Sequence, residues 1–203
     1  MNSAEWAALL VLCTAVSFTP GPNTTLSTAL AVNGGLRSAL RFVLAVPVGW
    51  ALLIVLCAAG LGTLVLQLPA LRWAIKALGV GYLLWLALRL VRTRALSATQ
   101  PALLSVSFGQ GVLLQALNIK AWMLALTVAS GWIAGHTDAT ARLAQVLPVL
   151  MAFALTSNLL YALLGTALRR WLADAAHGGR RLRVFNAAMA ALLVATAAWM
   201  LTA

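Results

Sequence analysis

A run of five residues, Thr19-Pro20-Gly21-Pro22-Asn23, lies inside an apolar stretch that is long enough to cross a membrane. Each proline inside a helix removes a backbone donor and clashes with the preceding turn, at about 3 kcal/mol. Two prolines around a glycine therefore predict an interrupted helix. In hydrocarbon, unwound backbone persists only where it is buried in protein or lines a polar cavity. We expect such a cavity here; the alternative is a proline kink that serves helix packing.

The composition places the whole chain in a membrane. Hydrophobic residues make up 63% of the 203 residues and charged residues 8%, against about 25% charged in soluble proteins. The chain is thus predicted to be an all-α integral membrane protein. At about 20 apolar residues per crossing, it holds six spans. Their predicted limits are Glu5 to Val32, Ser38 to Gln67, Leu71 to Leu90, Ser105 to Gly135, Leu143 to Leu168 and Phe185 to Thr202.

The two halves of the chain share one plan. Each begins with a broken or polar helix, continues with a helix that contains a proline (Pro47 or Pro148) and ends with a third helix. Because three crossings invert the direction of the chain, this plan predicts two inverted repeats with a transport site near the midplane. We expect a single transmembrane transporter domain over 1–203, with repeat one at about 1–95, a linker at about 96–104 and repeat two at about 105–203.

The basic residues, which give a net charge of +11, are unevenly distributed. If the N-terminus lies outside, the first, third and fifth connections hold ten arginines and the other two hold three basic residues. The ten are Arg37, Arg41, Arg89, Arg92, Arg94, Arg169, Arg170, Arg180, Arg181 and Arg183; the three are Arg72, Lys76 and Arg142. This asymmetry predicts both termini on the outer side. It favours topology and contact with anionic lipids over nucleic-acid binding.

One basic residue, Lys120, falls inside the fourth span, in the segment Asn118-Ile119-Lys120-Ala121. An ionisable side chain at the bilayer centre costs about 2.5 to 3.5 kcal/mol on insertion scales, so such residues usually face a bundle interior or a wet cavity. We therefore expect Lys120 to face the cavity. The alternative is that Lys120 lies nearer an interface and reaches water with its flexible stem.

The Thr19 to Asn23 run, the Asn-x-Lys-Ala segment that opens the second half, and Gly79-x-Gly81-Tyr82-Leu83 in the third span together resemble the lysine exporter (LysE/RhtB) family of bacterial amino-acid efflux proteins. The resemblance covers the whole chain. It implies a secondary transporter of the bacterial inner membrane that exports amino acids or close derivatives, driven by the proton gradient. The family usually has a proline where this chain has Ile119, so the fourth helix could run on or unwind only slightly.

The candidate substrate-binding residues are Thr19, Pro20, Gly21, Pro22, Asn23, Asn118, Lys120 and Asn158. A half-helix that begins at the first break would present free N–H groups to a carboxylate. Thr19 is expected to cap that half-helix with its hydroxyl, and Lys120 is a second partner for the carboxylate, oriented by Asn118 and Gln115. Asn158 could contact the substrate amine, although polar side chains in membrane helices more often bond another helix.

The chain offers little for other chemistry. Its only acids, Glu5, Asp138 and Asp174, lie near predicted span ends or loops, so Lys120 is the group left for proton coupling. We expect no cofactor, no metal site and no catalytic residues. Two alternative functions stay open: a thiol redox carrier, although Cys13 and Cys57 form no C-x-x-C motif, and a metal-cation exporter. The sequence leaves the oligomeric state open, with a homodimer as one option.

Overall fold

A computed structural model describes residues 1–93, 104–172 and 179–202. Within these ranges every regular element is a helix. The predicted linker at about 96–104 lies almost entirely outside the described residues, as does Arg94.

The helices follow one another with short connections. They are α1 (Ser3–Phe18), α2 (Pro22–Gly34), α3 (Leu36–Ala58), α4 (Leu61–Gln67), α5 (Pro69–Arg92), α6 (Phe108–Ala116), α7 (Ile119–Val128), α8 (Ala139–Leu172) and α9 (Arg180–Thr202), with a short π-helix, Ala129–Ile133, continuing α7.

Six units of the described chain are long and apolar enough to cross a membrane. Four are single helices, namely α3, α5, α8 and α9. The other two are bent pairs: α1 and α2 meet at 47°, and α6 meets α7 with its π-helical extension at 66°. If each bent pair is one span, the six units correspond to the six predicted spans. The prediction of an all-helical protein built to span a membrane several times is confirmed.

Two breaks differ from the prediction. The expected second span, Ser38 to Gln67, is divided, because α3 ends at Ala58 and Gly60 takes the left-handed conformation (φ +90°) that glycine adopts without strain. The fourth span, in which Ile119 left a break in doubt, is in fact sharply broken. An N-terminal cap at Asn118, described below, gives the chain a new helix start without a proline.

Helix α2 occupies the centre of the bundle, with nearly all its side chains buried. Six of its thirteen residues carry an amide or hydroxyl side chain, and a helix with so many polar side chains is stable in an apolar solvent only when other helices surround it. Gly165 of α8 permits one close approach, since a Cβ there would overlap the carbonyl oxygen of Thr28. The α2 helix packs against α3, α8 and α9.

One end of the bundle is held by a buried pair of amides. Asn33, near the end of α2, and Asn186 of α9 exchange hydrogen bonds of 2.9 and 3.1 Å, and Asn186 also donates to the carbonyl of Thr93 at 3.0 Å. The ends of α2 and α5 thus meet the start of α9, where the arginine-rich connections lie. That arrangement agrees with the charge asymmetry; the inverted relation between the halves and the sides of the termini stay predictions.

The opposite end is joined by one arginine. Arg142, in the first turn of α8, pairs with Glu5 of α1 at 2.8 Å and with Asp138 at 2.9 Å. The hydrogen bond from Arg142 lowers the pKa of the Asp138 carboxyl below its ordinary value. Both described carboxylates are therefore occupied at this end, away from the breaks in the spans.

Candidate functional site

The first break is set by backbone chemistry in the predicted run. Helix α1 ends at Phe18, and Thr19 adopts an extended conformation with its hydroxyl donating to the carbonyl of Ala15. The expected role of Thr19 as the cap of α2 is therefore wrong. Gly21 stands at the cap position instead, and Thr24 Oγ1 accepts a hydrogen bond from the Gly21 N–H at 3.0 Å.

The two prolines differ in their places at this break. Pro22 and Asn23 belong to the first turn of α2 rather than to the unwound segment, so the break is shorter than predicted. Pro22 is at the first helical position, where the missing donor does no harm because that N–H would have no helical partner. Pro20 remains between the two helices.

The second break is stabilised by side chains that cap both of its helix ends. Asn118 Oδ1 accepts a hydrogen bond from the Lys120 N–H at 3.1 Å, which starts α7. Trp122 Nε1 donates to the carbonyl of Ala116 at 2.7 Å and so satisfies an acceptor at the end of α6. Gly79 of α5 lets that helix lie against the break, since a Cβ there would overlap the carbonyl oxygen of Leu117.

Lys120 connects the two breaks. Its Nζ atom donates to the carbonyl oxygen of Thr19 at 3.1 Å, across 101 positions of sequence. A Cβ built on Gly21 would lie 3.5 Å from Nζ, so the glycine leaves space beside the ammonium group. No carboxylate among the described residues forms an ion pair with Lys120. The structure thus places a positive charge beside two unwound segments without an opposing charge from the described chain.

A buried amide pair ties the start of α2 to α6. Asn23 Nδ2 donates to Gln115 Oε1 at 2.9 Å, and Gln115 Nε2 donates back to Asn23 Oδ1 at 3.1 Å. Trp50 Nε1 of α3 donates to the same Gln115 oxygen at 3.1 Å. Gly49 makes room for this side chain, because a Cβ there would overlap Gln115 Cγ. Gln115 therefore fixes three helices around the first break.

Asn158 bonds between helices, as the more common of its two expected roles requires. Its Oδ1 accepts a hydrogen bond from Ser27 Oγ of α2 at 2.9 Å, and its Nδ2 donates to the carbonyl of Ala154 at 2.8 Å. The same side chain also lines the cavity between the two breaks. Each amide atom of Asn158 keeps capacity for one further hydrogen bond.

Residues around the two breaks line a small cavity of about 20 Å³, which is room for about one water molecule. Seven of the eight predicted residues line it; Pro20 is the exception. The complete lining is Val16, Ser17, Thr19, Gly21, Pro22, Asn23, Thr24, Trp50, Asn118, Lys120 and Asn158. The predicted residues are thus brought together, but in a space too small for an amino acid.

A second space adjoins the first. It is a largely apolar groove of about 550 Å³ between α1, α7 and α9, and Pro20 lies on its wall. Five residues line both spaces: Val16, Thr19, Gly21, Pro22 and Lys120. The hydrogen bond from Lys120 to Thr19 therefore belongs to the partition between the cavity and the groove.

The prediction missed four lining residues: the apolar Val16, and Ser17, Thr24 and Trp50, whose side chains carry a polar group. Ser17 and Thr24 are polar residues within a few positions of the break, and proximity to a helix break in a membrane span is a signal that could have found them. Trp50 carries no such local signal, because it reaches the site from α3 through the fold.

Residues 14–203 match the LysE type translocator family. Similar proteins include three that are named cysteine/O-acetylserine efflux protein. The one from Klebsiella pneumoniae is 30% identical over 164 residues, covering 81% of this chain and 83% of the relative. The one from Salmonella typhimurium is 29% identical over 188 residues, covering 91% of each chain. The one from Escherichia coli is 28% identical over 171 residues, covering 83% of this chain and 84% of the relative. No solved structure is significantly similar to the chain.

The family match and the architecture agree. The match begins within α1 and extends through both broken spans to the end of α9. The chain therefore belongs to the LysE type translocator family and is a membrane transporter rather than an enzyme.

Proposed function

We propose that this protein exports amino acids or close derivatives across the bacterial inner membrane, and that the cavity between the two broken spans is its substrate site. The observation that carries the proposal is the placement of Lys120, whose ammonium group lies beside the break between α1 and α2 without a described carboxylate partner. An ammonium group without an opposing charge favours an anionic ligand, and every amino acid carries a carboxylate.

The first break also suits the two charges of a zwitterion. The start of α2 carries the positive end of a helix dipole and unpaired first-turn N–H groups, which favour a carboxylate. The end of α1 carries the negative end of its own dipole, which favours an ammonium group. Two of its last four carbonyls already accept side-chain hydrogen bonds, that of Ala15 from Thr19 and that of Phe18 from Tyr161. Only three residues, Thr19 to Gly21, separate the end of α1 from the start of α2. The similarity to efflux proteins named for cysteine and O-acetylserine supports a small amino-acid substrate.

The size of the cavity supports a mechanism of alternating access. A space of about 20 Å³ does not admit an amino acid, so the helices must separate for binding and release. The partition formed by Lys120 and Thr19 is the place where we expect opening, because a substrate carboxylate competes with the Thr19 carbonyl for the ammonium group. Breaking that hydrogen bond would join the cavity to the groove of about 550 Å³.

Lys120 is also the residue that we propose for proton coupling. Glu5 and Asp138 are held by Arg142 at one end of the bundle, so the described carboxylates are remote from the cavity. A lysine that loses its proton in one state of the cycle would link proton movement to substrate release. Full proton-driven export by Lys120→Met would exclude this role.

The test is transport by purified protein in liposomes with an imposed proton gradient, using a panel of radiolabelled amino acids. We expect gradient-dependent transport of at least one amino acid and its loss in Lys120→Met. Lys76→Met is the matched control, since Lys76 lies 5.5 Å from the ring centroid of Trp73 and lines neither the cavity nor the groove. Transport of no amino acid by the wild-type protein would refute the proposal.

A parallel measurement in cells addresses the redox alternative. Cys13 and Cys57 are both buried free thiols. A thiol carrier depends on accessible sulfurs that can form and exchange a disulfide, whereas an amino-acid exporter does not. Overexpression of an amino-acid exporter should make a strain resistant to a toxic amino acid that it exports and should lower the intracellular pool of that amino acid. We expect the Cys13→Ala, Cys57→Ala double variant to keep both effects. Loss of both would favour the redox function.

A further inference from the structure

Ser17, in the last turn of α1, carries a buried hydroxyl that nothing in the described structure satisfies. The residue is 3% exposed, and its Oγ atom has no hydrogen-bond partner. Tyr82 is the other residue among those described with a buried, unpartnered side-chain oxygen or nitrogen. Buried polar atoms in native proteins are almost always paired, so an exception requires a reason.

The usual partner of a helical hydroxyl is not used here. Serine and threonine inside helices commonly donate to the carbonyl four residues earlier. Thr14, on the same helix, does so to Leu10 at 2.8 Å, and Thr28 does so to Thr24 at 2.9 Å. Ser17 makes no such bond to Cys13. Its hydroxyl is therefore available to something other than the backbone of its own helix.

Ser17 lines the cavity, where it differs from the other hydroxyl groups. The Thr19 hydroxyl donates to Ala15, and the Thr24 hydroxyl is bonded to Gly21. Of the three cavity hydroxyls, that of Ser17 alone is not engaged by the described chain. The amide groups of the cavity are also partly engaged, since Asn23 pairs with Gln115 and Asn158 pairs with Ser27.

We infer that Ser17 is a specificity-determining residue, and that its hydroxyl hydrogen-bonds a neutral polar atom on the side chain of the transported amino acid. This inference rests on the proposed function. The charged groups of the substrate already have partners in Lys120 and the two helix ends, whereas a neutral hydroxyl, which both donates and accepts, suits a hydroxyl, thiol or ester group.

The test compares two substrates that differ in one group. Serine and 2-aminobutyrate have the same length, but serine carries a hydroxyl where 2-aminobutyrate carries a methyl group. The wild-type protein in liposomes should prefer serine, as measured by the ratio of the two kcat/KM values. A site that hydrogen-bonds a substrate hydroxyl discriminates against the analogue that lacks it, and one hydrogen bond of ordinary strength corresponds to a ratio of about tenfold.

Ser17→Ala should lower this ratio about tenfold, mainly by slowing serine transport. Ser17→Thr, which keeps the hydroxyl, should restore much of the preference. Thr14→Ala is the matched control: it removes a hydroxyl from the same helix, but one that donates to Leu10 and does not line the cavity, and the ratio should stay at the wild-type value.

The outcomes separate this inference from the proposed function. A wild-type protein that transports both substrates equally, or a Ser17→Ala variant with an unchanged ratio, would overturn the role of Ser17 and leave amino-acid export intact. Equal slowing of both substrates by Ser17→Ala would also overturn it, because the hydroxyl would then hold the cavity or its water rather than read the side chain. No transport of any amino acid would overturn both.

Discussion

The amide pair between Asn23 and Gln115 gives the sharpest test of how the first break is held. Gln115 is fully buried and makes three interhelical hydrogen bonds, two with Asn23 and one with Trp50. Gln115→Leu keeps much of the side-chain volume but removes all three. Asn23 and Trp50 would then each lose a buried hydrogen-bond partner.

The magnitude follows from the number of bonds lost. Interhelical hydrogen bonds in membrane proteins contribute about 0.6 kcal/mol on average and at most about 1.7 kcal/mol. Three of them give a predicted destabilisation of about 2 to 5 kcal/mol for Gln115→Leu. Asn23→Leu removes two of the three and should destabilise by about 1 to 3 kcal/mol.

The assay is unfolding in mixed micelles by added sodium dodecyl sulfate, followed by far-ultraviolet circular dichroism. Because both single variants remove the same two bonds, the double variant should be more stable than the sum of their effects predicts. The expected coupling free energy is about 1 to 3 kcal/mol. Additive effects, within about 0.5 kcal/mol, would refute the reasoning and show that the pair contributes no mutual stabilisation.

Two further predictions concern stability. Gly79→Ala should destabilise the protein by about 1 to 3 kcal/mol in the same assay, because the added Cβ would overlap the carbonyl of Leu117. Gly81→Ala is its control, since a Cβ there meets nothing within 4 Å, and equal effects of the two changes would contradict the packing argument. Asp138 should contribute stability above its unfolded pKa that is lost as the pH falls through its lowered folded pKa. The Asp138→Asn variant should therefore lose less stability than the wild type between about pH 5 and pH 3, as measured by thermal unfolding. Parallel plots of stability against pH for the two proteins would show that the contact with Arg142 does not lower the pKa of Asp138.

Much of the fold was predictable because it depends on local chemistry. Pro20 and Pro22, on either side of Gly21, remove two backbone donors where α1 gives way to α2, and this is an effect of covalent geometry within the run itself. The apolar composition and the repeated spans of about 20 residues likewise require a membrane. The family resemblance, which rests on short motifs at Asn23, Lys120 and Gly79, is confirmed over nearly the full chain.

The second break shows where local reasoning fails. Ile119 supplies no covalent reason to interrupt a helix, yet α6 and α7 meet at 66°. The break between α6 and α7 is stabilised by the Asn118 cap, by the hydrogen bond from Trp122 to the carbonyl of Ala116 and by the packing of Gly79 against Leu117. The last of these comes from another span. A pattern read along one helix cannot reveal a partner that another helix brings to it.

The sequence by itself determined that this chain spans a membrane, that its first span is broken and that a lysine lies inside its fourth span. Only the tertiary structure decided which groups meet there. Lys120 reaches Thr19 across 101 positions, Asn23 reaches Gln115 across 92 and Ser27 reaches Asn158 across 131. These bonds depend on helix packing, in which small residues set the distances between backbones. The first helix break is encoded by neighbours in the chain, whereas the site that the two breaks form is encoded by neighbours in space.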